Sequence, residues 1–133
     1  MRVAALAVLL LAGSAAAAPA LSIRGITTQT FAAFTRVTIE TSGPAKPTPA
    51  HLPADPEAGR PERIALDFPG AALDVPGPTR IDVRDGRIDA IRFGRTQAGG
   101  ARVVIDLVQP ARYRALRHVR PDRIELDVLA PGG

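Results

Sequence analysis

The sequence predicts an all-β protein, a β-sandwich of two related sheets built from an internal duplication. Three observations lead there. Apolar and polar residues alternate with period two in several short segments, the signature of strands with one buried face. Glycine and proline are abundant, 12 and 13 residues, and no stretch sustains helical periodicity. Finally, RPERIALDFPG at residues 60–70 is written again as RPDRIELDVLAPG at residues 120–132.

Residues 1–20 read as a secretory signal peptide. Arg2 supplies the positive start, Val3 to Gly13 the apolar stretch, and Ser14 to Ala20 a run of small residues with Ala-x-Ala cleavage choices after Ala17 or Ala20. The apolar run is too short to span a bilayer comfortably, so no membrane span is expected after cleavage and the mature protein is expected to be exported or periplasmic. Residues 21–133 then form a single β domain, with half-repeats at about 21–70 and 88–129. The absence of cysteine excludes disulfides, thiolate metal sites and a lipidated N-terminal cysteine.

The elements follow in order. Ile23-Arg24, with Gln29 after it, is matched to Ile91-Arg92 with Gln97 at the same spacing. TRVTIE at 35–40 corresponds to ARVVID at 101–106, and Pro44-Ala45-Lys46 to Pro110-Ala111-Arg112. The stretch 44–60, rich in proline, is expected to be a loop with at most a short edge strand, because proline cannot donate to a sheet ladder. In RIALDF, Ile64, Leu66 and Phe68 face inward and Arg63, Ala65 and Asp67 outward; RIELDV places Ile124, Leu126 and Val128 in and Arg123, Glu125 and Asp127 out. Val37 and Ile39, and Val103, Ile105 and Leu107, are the inward residues of the other pair. Between the halves, IDVRDGRIDAIRFG reads as two strands joined by a tight turn at Asp85-Gly86, a register that sets Asp82 against Asp89. The YRAL segment before His118 is strand-like, and Gln97-Ala98-Gly99-Gly100 makes a turn.

Each repeated strand begins its outer face with an arginine and ends it, four residues on, with an acid. At about 3.3 Å per residue the two lie about 13 Å apart and cannot pair with each other. If the strands of one half are direct antiparallel neighbours, Arg36 falls opposite Asp67 and Glu40 opposite Arg63, with Arg102 opposite Asp127 and Asp106 opposite Arg123. Such a ladder contributes about 0.2–1 kcal/mol per pair and specifies register. The alternative is that these outward arginines bind a ligand, and the two readings are compatible.

Catalytic chemistry finds little to work with. His51 and His118 lie in opposite halves with no HExxH or similar cluster. Ser42 has no GxSxG setting, and acids beside arginines have lowered pKa values, the wrong direction for a general acid. A non-catalytic protein without metal or cofactor is expected. The formal charge of +4, or +3 once Arg2 is removed, is carried almost wholly by arginine, with Lys46 the only lysine. Export points this basic surface at an anionic envelope polymer rather than at nucleic acid.

The ordered segments TRVxIExSG, PxRIxLDFPG, IRFGxxQ, RVVIDL and PDRIxLDV, spread over residues 21–129, resemble the AMIN domain. This is the non-catalytic N-terminal module of bacterial N-acetylmuramoyl-L-alanine amidases and of pilus secretins. The resemblance implies a sandwich with the shared motifs on its outer faces that binds peptidoglycan and localises its owner in the envelope, often at the division site. Neither the zinc catalytic domain of the amidases nor the pore-forming region of the secretins follows in this sequence, so their activities do not carry over. The first half departs from the pattern by its longer proline-rich loop.

The candidate peptidoglycan-binding residues are Arg36, Arg63, Asp67, Arg92, Arg102, Asp106, Arg123 and Asp127. An arginine fork grips a stem-peptide carboxylate with two parallel hydrogen bonds. Sugar stacking wants an aromatic platform, whereas tryptophan is absent, Tyr113 stands alone and Phe68 and Phe93 face inward, so stem-peptide charge is the favoured recognition. The competing function is a protein-interaction module that docks an envelope partner, such as a secretin or divisome subunit, through a strand edge or the arginine face.

Overall fold

The alternating segments form ten strands: β1 (Ser22–Thr30), β2 (Phe34–Thr41), β3 (Thr48–Leu52), β4 (Arg63–Phe68), β5 (Ala72–Leu73), β6 (Arg80–Asp82), β7 (Ile88–Arg95), β8 (Ala101–Leu107), β9 (Tyr113–His118) and β10 (Arg123–Leu129). They are seen in a computed structural model that describes residues 20–132. The expected signal peptide lies, apart from Ala20, outside the described residues. Two five-stranded sheets stack face to face, sheet I in the order β5-β1-β2-β10-β9 and sheet II in the order β3-β4-β8-β7-β6. The architecture is thus the all-β two-sheet sandwich that the alternation predicts.

The inward residues read from the sequence meet in one core. Val37, Ile39, Ile64, Leu66, Val103, Ile105 and Leu126 have no exposed surface, and Phe68, Leu107, Ile124, Val128 and Phe93 are also buried. The β-branched residues suit the pleated surface. Each buried aliphatic side chain contributes roughly 1.5–3 kcal/mol of transfer free energy.

Strand pairing departs from the expected one. Within a half, β2 does not neighbour β4, and β8 does not neighbour β10. Instead β2 pairs with β10 and β8 with β4, so that Arg36 lies opposite Asp127 and Glu40 opposite Arg123, while Arg102 lies opposite Asp67 and Asp106 opposite Arg63. The register of the ladder is as read from the sequence, but the partners come from the other half. The reason is the chain path. After the β1–β2 hairpin the chain crosses to the other sheet through Ser42–Pro47 before forming β3 and β4, and after β7–β8 it crosses back to form β9 and β10. Each sheet therefore combines the first hairpin of one half with the second hairpin of the other. Because the two RIxLD motifs are chemically alike, the sequence offers Arg36 two equal partners and only the crossover selects one.

The halves correspond through the pairings, Thr41 donating to Asp122 as Leu107 does to Glu62. Their first strands, however, align three residues away from the match drawn on the sequence. Ile23 pairs with Thr41 and Ile88 with Leu107, and both strands shift register at the next residue, between Ile23 and Gly25 and between Ile88 and Ala90. The counterpart of Ile23 is therefore Ile88, that of Arg24 is Asp89, and that of Arg92 is Thr27. Both copies carry the same bulge, so the Ile-Arg…Gln resemblance is a coincidence of residue types that the ladder pairing overrides.

The β6–β7 connection is also longer than a two-residue turn. Asp82 pairs with Ala90, not Asp89, and Arg84 and Gly86 both adopt positive φ. The proline-rich stretch carries the short edge strand β3, and β9 includes the YRAL segment. The 96–100 turn closes on Thr96, whose carbonyl and hydroxyl accept from Gly99 and Gly100. Gly100 is required there, since a Cβ would sit 2.6 Å from the Phe68 carbonyl oxygen.

The exchanged pairing has a direct check. A double-mutant cycle on Arg36→Ala and Asp127→Ala, read by urea unfolding, is expected to give a coupling of about 0.5–1 kcal/mol. The cycle on Arg36→Ala and Asp67→Ala is expected to be additive within about 0.3 kcal/mol; the reverse pattern would restore the within-half pairing.

Candidate functional site

Period-two alternation puts every candidate residue on an outer face, but divides them between two. Arg36, Arg123 and Asp127 lie on sheet I, and Arg63, Asp67, Arg92, Arg102 and Asp106 on sheet II.

On sheet I the charges are consumed internally. Asp127, 2% exposed, accepts a two-pronged bond from Arg36 at 2.9 and 3.1 Å and another from Arg114 at 3.0 Å. Burial pushes its carboxyl up, yet the two guanidinium groups more than reverse this and hold it below the usual carboxylate range, while the bond to Asp127 raises Arg36. Glu125 sits at the centre of the face. Arg123 donates to it at 3.2 Å, Arg36 stands 3.6 Å away, and His118 Nε2 lies 2.9 Å from its other oxygen. The guanidinium groups of Arg36 and Arg114 also lie 5.0 and 5.4 Å from the Phe34 ring centre, with Phe31 4.8 Å from the same ring. Phe31 and Phe34 were not among the aromatic residues singled out from the sequence; Phe34 faces outward because it shares the parity of Arg36. Its ring is taken up by its own arginines.

Sheet II is arranged differently. Arg102 grips Asp67 at 2.6 and 3.1 Å, and Arg92 grips Asp106 at 2.8 and 2.9 Å. These bonds lower Asp67 and raise both arginines. The position corresponding to Glu125 is Ala65, opposite Val104 where sheet I has Thr38. Arg63 thus lacks the in-strand acid that holds Arg123, and among the described residues donates only to the Pro61 carbonyl at 3.1 Å. Asp106, which faces Arg63 across the ladder, has both oxygens engaged by Arg92.

Two hollows flank Arg92 on this face. One, of about 510 Å³, is lined by Arg60, Arg63, Arg80 and Arg92, with Asp106 its one acid. The other, of about 560 Å³, lies between Arg92 and Arg102 over Gly94 and Val104, bounded by Arg95 to Ala98. Gly94 leaves the floor open, as no atom lies within 4 Å of where its Cβ would be. Arg60, Arg80 and Arg95 were not among the residues singled out from the sequence. Arg60 opens the repeated RPxRIxLD motif, as Arg120 does in the second copy, and was passed over for the inner arginine; Arg80 and Arg95 stand at positions that the repeat does not match. Among the described residues no cluster of three His, Cys, Asp or Glu side chains is placed to hold a metal ion, and no helix is long and apolar enough to cross a membrane.

The family model of the AMIN domain matches residues 53–128, from the end of β3 almost to the end of β10. No curated protein matches the chain. AMIN domains are non-catalytic cell-envelope modules, commonly peptidoglycan-binding and typically found in exported periplasmic proteins. With more than half of its sequence under that match, in the two-sheet fold and motif order already described, this chain belongs to the AMIN domain family.

Proposed function

We propose that the protein is an exported, periplasmic, non-catalytic module that binds peptidoglycan through the outer face of sheet II and so localises in the envelope, with the division site one destination. The observation that carries this reading is the pair of arginine-lined hollows around Arg92, on the outer face that has Ala65 where the other has Glu125. Stem peptides present carboxylates, and forked guanidinium groups bind carboxylates in two-pronged, geometrically specific fashion. Weak binding at one site gains strength from the repetition of the polymer.

Arg63 and Arg123, equivalent in the repeat, lie on opposite faces and so separate the possibilities. In co-sedimentation with sacculi stripped of protein, Arg63→Ala is expected to weaken binding about tenfold, equivalent to about 1.4 kcal/mol. Arg123→Ala is expected to leave it within about twofold, a difference of about 0.4 kcal/mol. Arg63→Lys keeps the charge without the fork and is expected to rescue only partly. Full rescue by lysine would reduce the interaction to general electrostatics. Unchanged binding by Arg63→Ala together with Arg80→Ala, in protein whose circular dichroism is unaltered, would remove sheet II as the binding face.

A further inference from the structure

A sandwich of two open sheets has four edges, and they are not alike. β5 has two residues and β6 three. β3 has five but includes Pro49, which has no N–H to donate. β9 has six residues, no proline and, among the described residues, β10 as its one strand neighbour. Its outer edge carries the unpaired N–H and C=O groups that template another strand.

The side of the sandwich along β9 is also less fully closed than the opposite one. On the opposite side the connection between β4 and β7 seals the layer: Ala71 is buried, and Leu73, Val75, Ile81 and Val83 pack on the core. Along β3 and β9 the closure is only partial: Ala45 of the crossover is buried and Ala111 and Tyr113 pack on the core, but a cleft remains between the two edge strands. Pro49 and His51, and Ala115 and Arg117, point to the inner faces of their sheets, opposite buried Leu66, Ile64, Leu126 and Ile124. All four are nevertheless exposed. Between them a cleft of about 370 Å³ reaches Leu66 and Ile124 at its floor, with walls from Pro47, Pro49, Ala115 and Leu116, and Lys46 and Arg117 at its rim.

Charge selects the occupant. Arg114, Arg117 and Arg120 lie on or beside β9, Arg114 already holding Asp127, Lys46 stands across the cleft, and no acidic residue occurs between Asp106 and Asp122. Antiparallel pairing of β9 with a second copy of itself would oppose like charges. Arginines at an edge deter aggregation, which accounts for the charge but not for the apolar cleft under the strand. We propose that β9 accepts an added strand from a protein partner, an extended acidic segment whose alternate apolar side chains enter the cleft between β9 and β3. Backbone pairing supplies the hold, and the acidic and apolar positions of the segment supply selectivity.

The probe is a synthetic eight-residue peptide alternating glutamate and leucine, titrated by fluorescence anisotropy at neutral pH, with backbone amide shifts locating the contact. Binding is expected with shifts concentrated at residues 113–118. The same peptide N-methylated at alternate residues, which keeps the charge but blocks pairing on one edge, is expected to bind at least tenfold more weakly. A lysine-for-glutamate peptide is expected not to bind. Arg117→Glu puts a carboxylate at the rim where the leucine side chains enter and is expected to lower affinity for the glutamate peptide at least tenfold with unchanged circular dichroism; Lys46→Glu provides the same readout should Arg117→Glu not fold. Absence of binding, equal binding of the N-methylated peptide, or shifts centred on Arg63 and Arg92 would each overturn the proposal.

Discussion

Leu126→Ala is expected to destabilise the protein by about 2–5 kcal/mol, the range for truncating a buried leucine whose cavity cannot fully collapse. Leu126 is wholly buried, and its strand is held on both sides, by Val37 of β2 and Ala115 of β9. Both neighbours are smaller than leucine, so neither can swing in to fill the void. A domain of this size has only about 5–15 kcal/mol in all, so the midpoint of urea unfolding should fall steeply with little change in slope. Leu116→Ala, on the neighbouring strand but 52% exposed, is the contrast and should cost no more than about 0.5 kcal/mol. Equal effects at the two positions would mean that β9 and β10 present the opposite faces.

Asp85→Ala is expected to cost about 2–3 kcal/mol, a large effect for a residue in a turn, because several hydrogen bonds converge on its carboxylate. One oxygen accepts from the backbone N–H groups of Arg87 and Ile88 at 3.0 and 2.9 Å, and the other from the Thr30 and Thr35 hydroxyls at 2.8 and 2.6 Å. Arg87 reinforces the joint by donating to the Phe31 and Ala32 carbonyls and to Thr35. The β6–β7 turn of sheet II thereby clasps the β1–β2 hairpin of sheet I. Thr35 has no exposed surface, so removing the carboxylate takes a partner from a buried hydroxyl.

The same carboxylate makes stability depend on pH. Burial alone would raise the Asp85 pKa, but the bonds from Thr35, Ile88, Arg87 and Thr30 outweigh it and lower the value to about 2. The folded value lies below the unfolded value of about 3.9, so the contribution is complete above pH about 4 and is lost as pH falls towards 2. Discounted for partial exposure, it is on the order of 1–2 kcal/mol. Asp85→Asn should flatten the stability curve in that window, leaving the smaller slopes due to Asp67 and Asp127, whose values are also lowered. An unaltered slope between pH 4 and 2 would show that the clasp does not depend on the charge.

Much of the fold was legible because it depends on local rules. Alternation at Arg63–Phe68 and Arg123–Leu129 assigned the buried and exposed faces, since successive side chains of a strand must point to opposite sides. Arginine and acid four residues apart defined the ladder register, since one register alone satisfies both ends of each strand. The two RPxRIxLD motifs marked the halves, and the candidate arginines on outer faces follow from the same parity.

What remained depended on distance in sequence and on counts that local pattern does not register. Asp67 and Asp127 stand in near-identical motifs, so nothing local decides which one Arg36 meets; the crossing of the chain after Ser42 does. The ladder of β7 with β8 set Arg92 opposite Val104 and gave it Asp106, with Thr27 as its counterpart, where the residue types alone had matched it to Arg24. Glu125 and Ala65 were visible as a difference in the repeat, but only packing showed that the glutamate gathers Arg36, Arg123 and His118 and closes sheet I, while the alanine leaves Arg63 available on sheet II. Asp85 read as a turn residue, and its partners Thr30 and Thr35 lie some fifty residues earlier. The sequence by itself determined the main strands, their faces, the register of the charge ladder and the family, because each follows from the period of the chain and the identity of neighbouring residues. The tertiary structure alone decided which half pairs with which, which of two like faces stays open, and which edge lacks a neighbour, because those depend on where the chain crosses between the sheets.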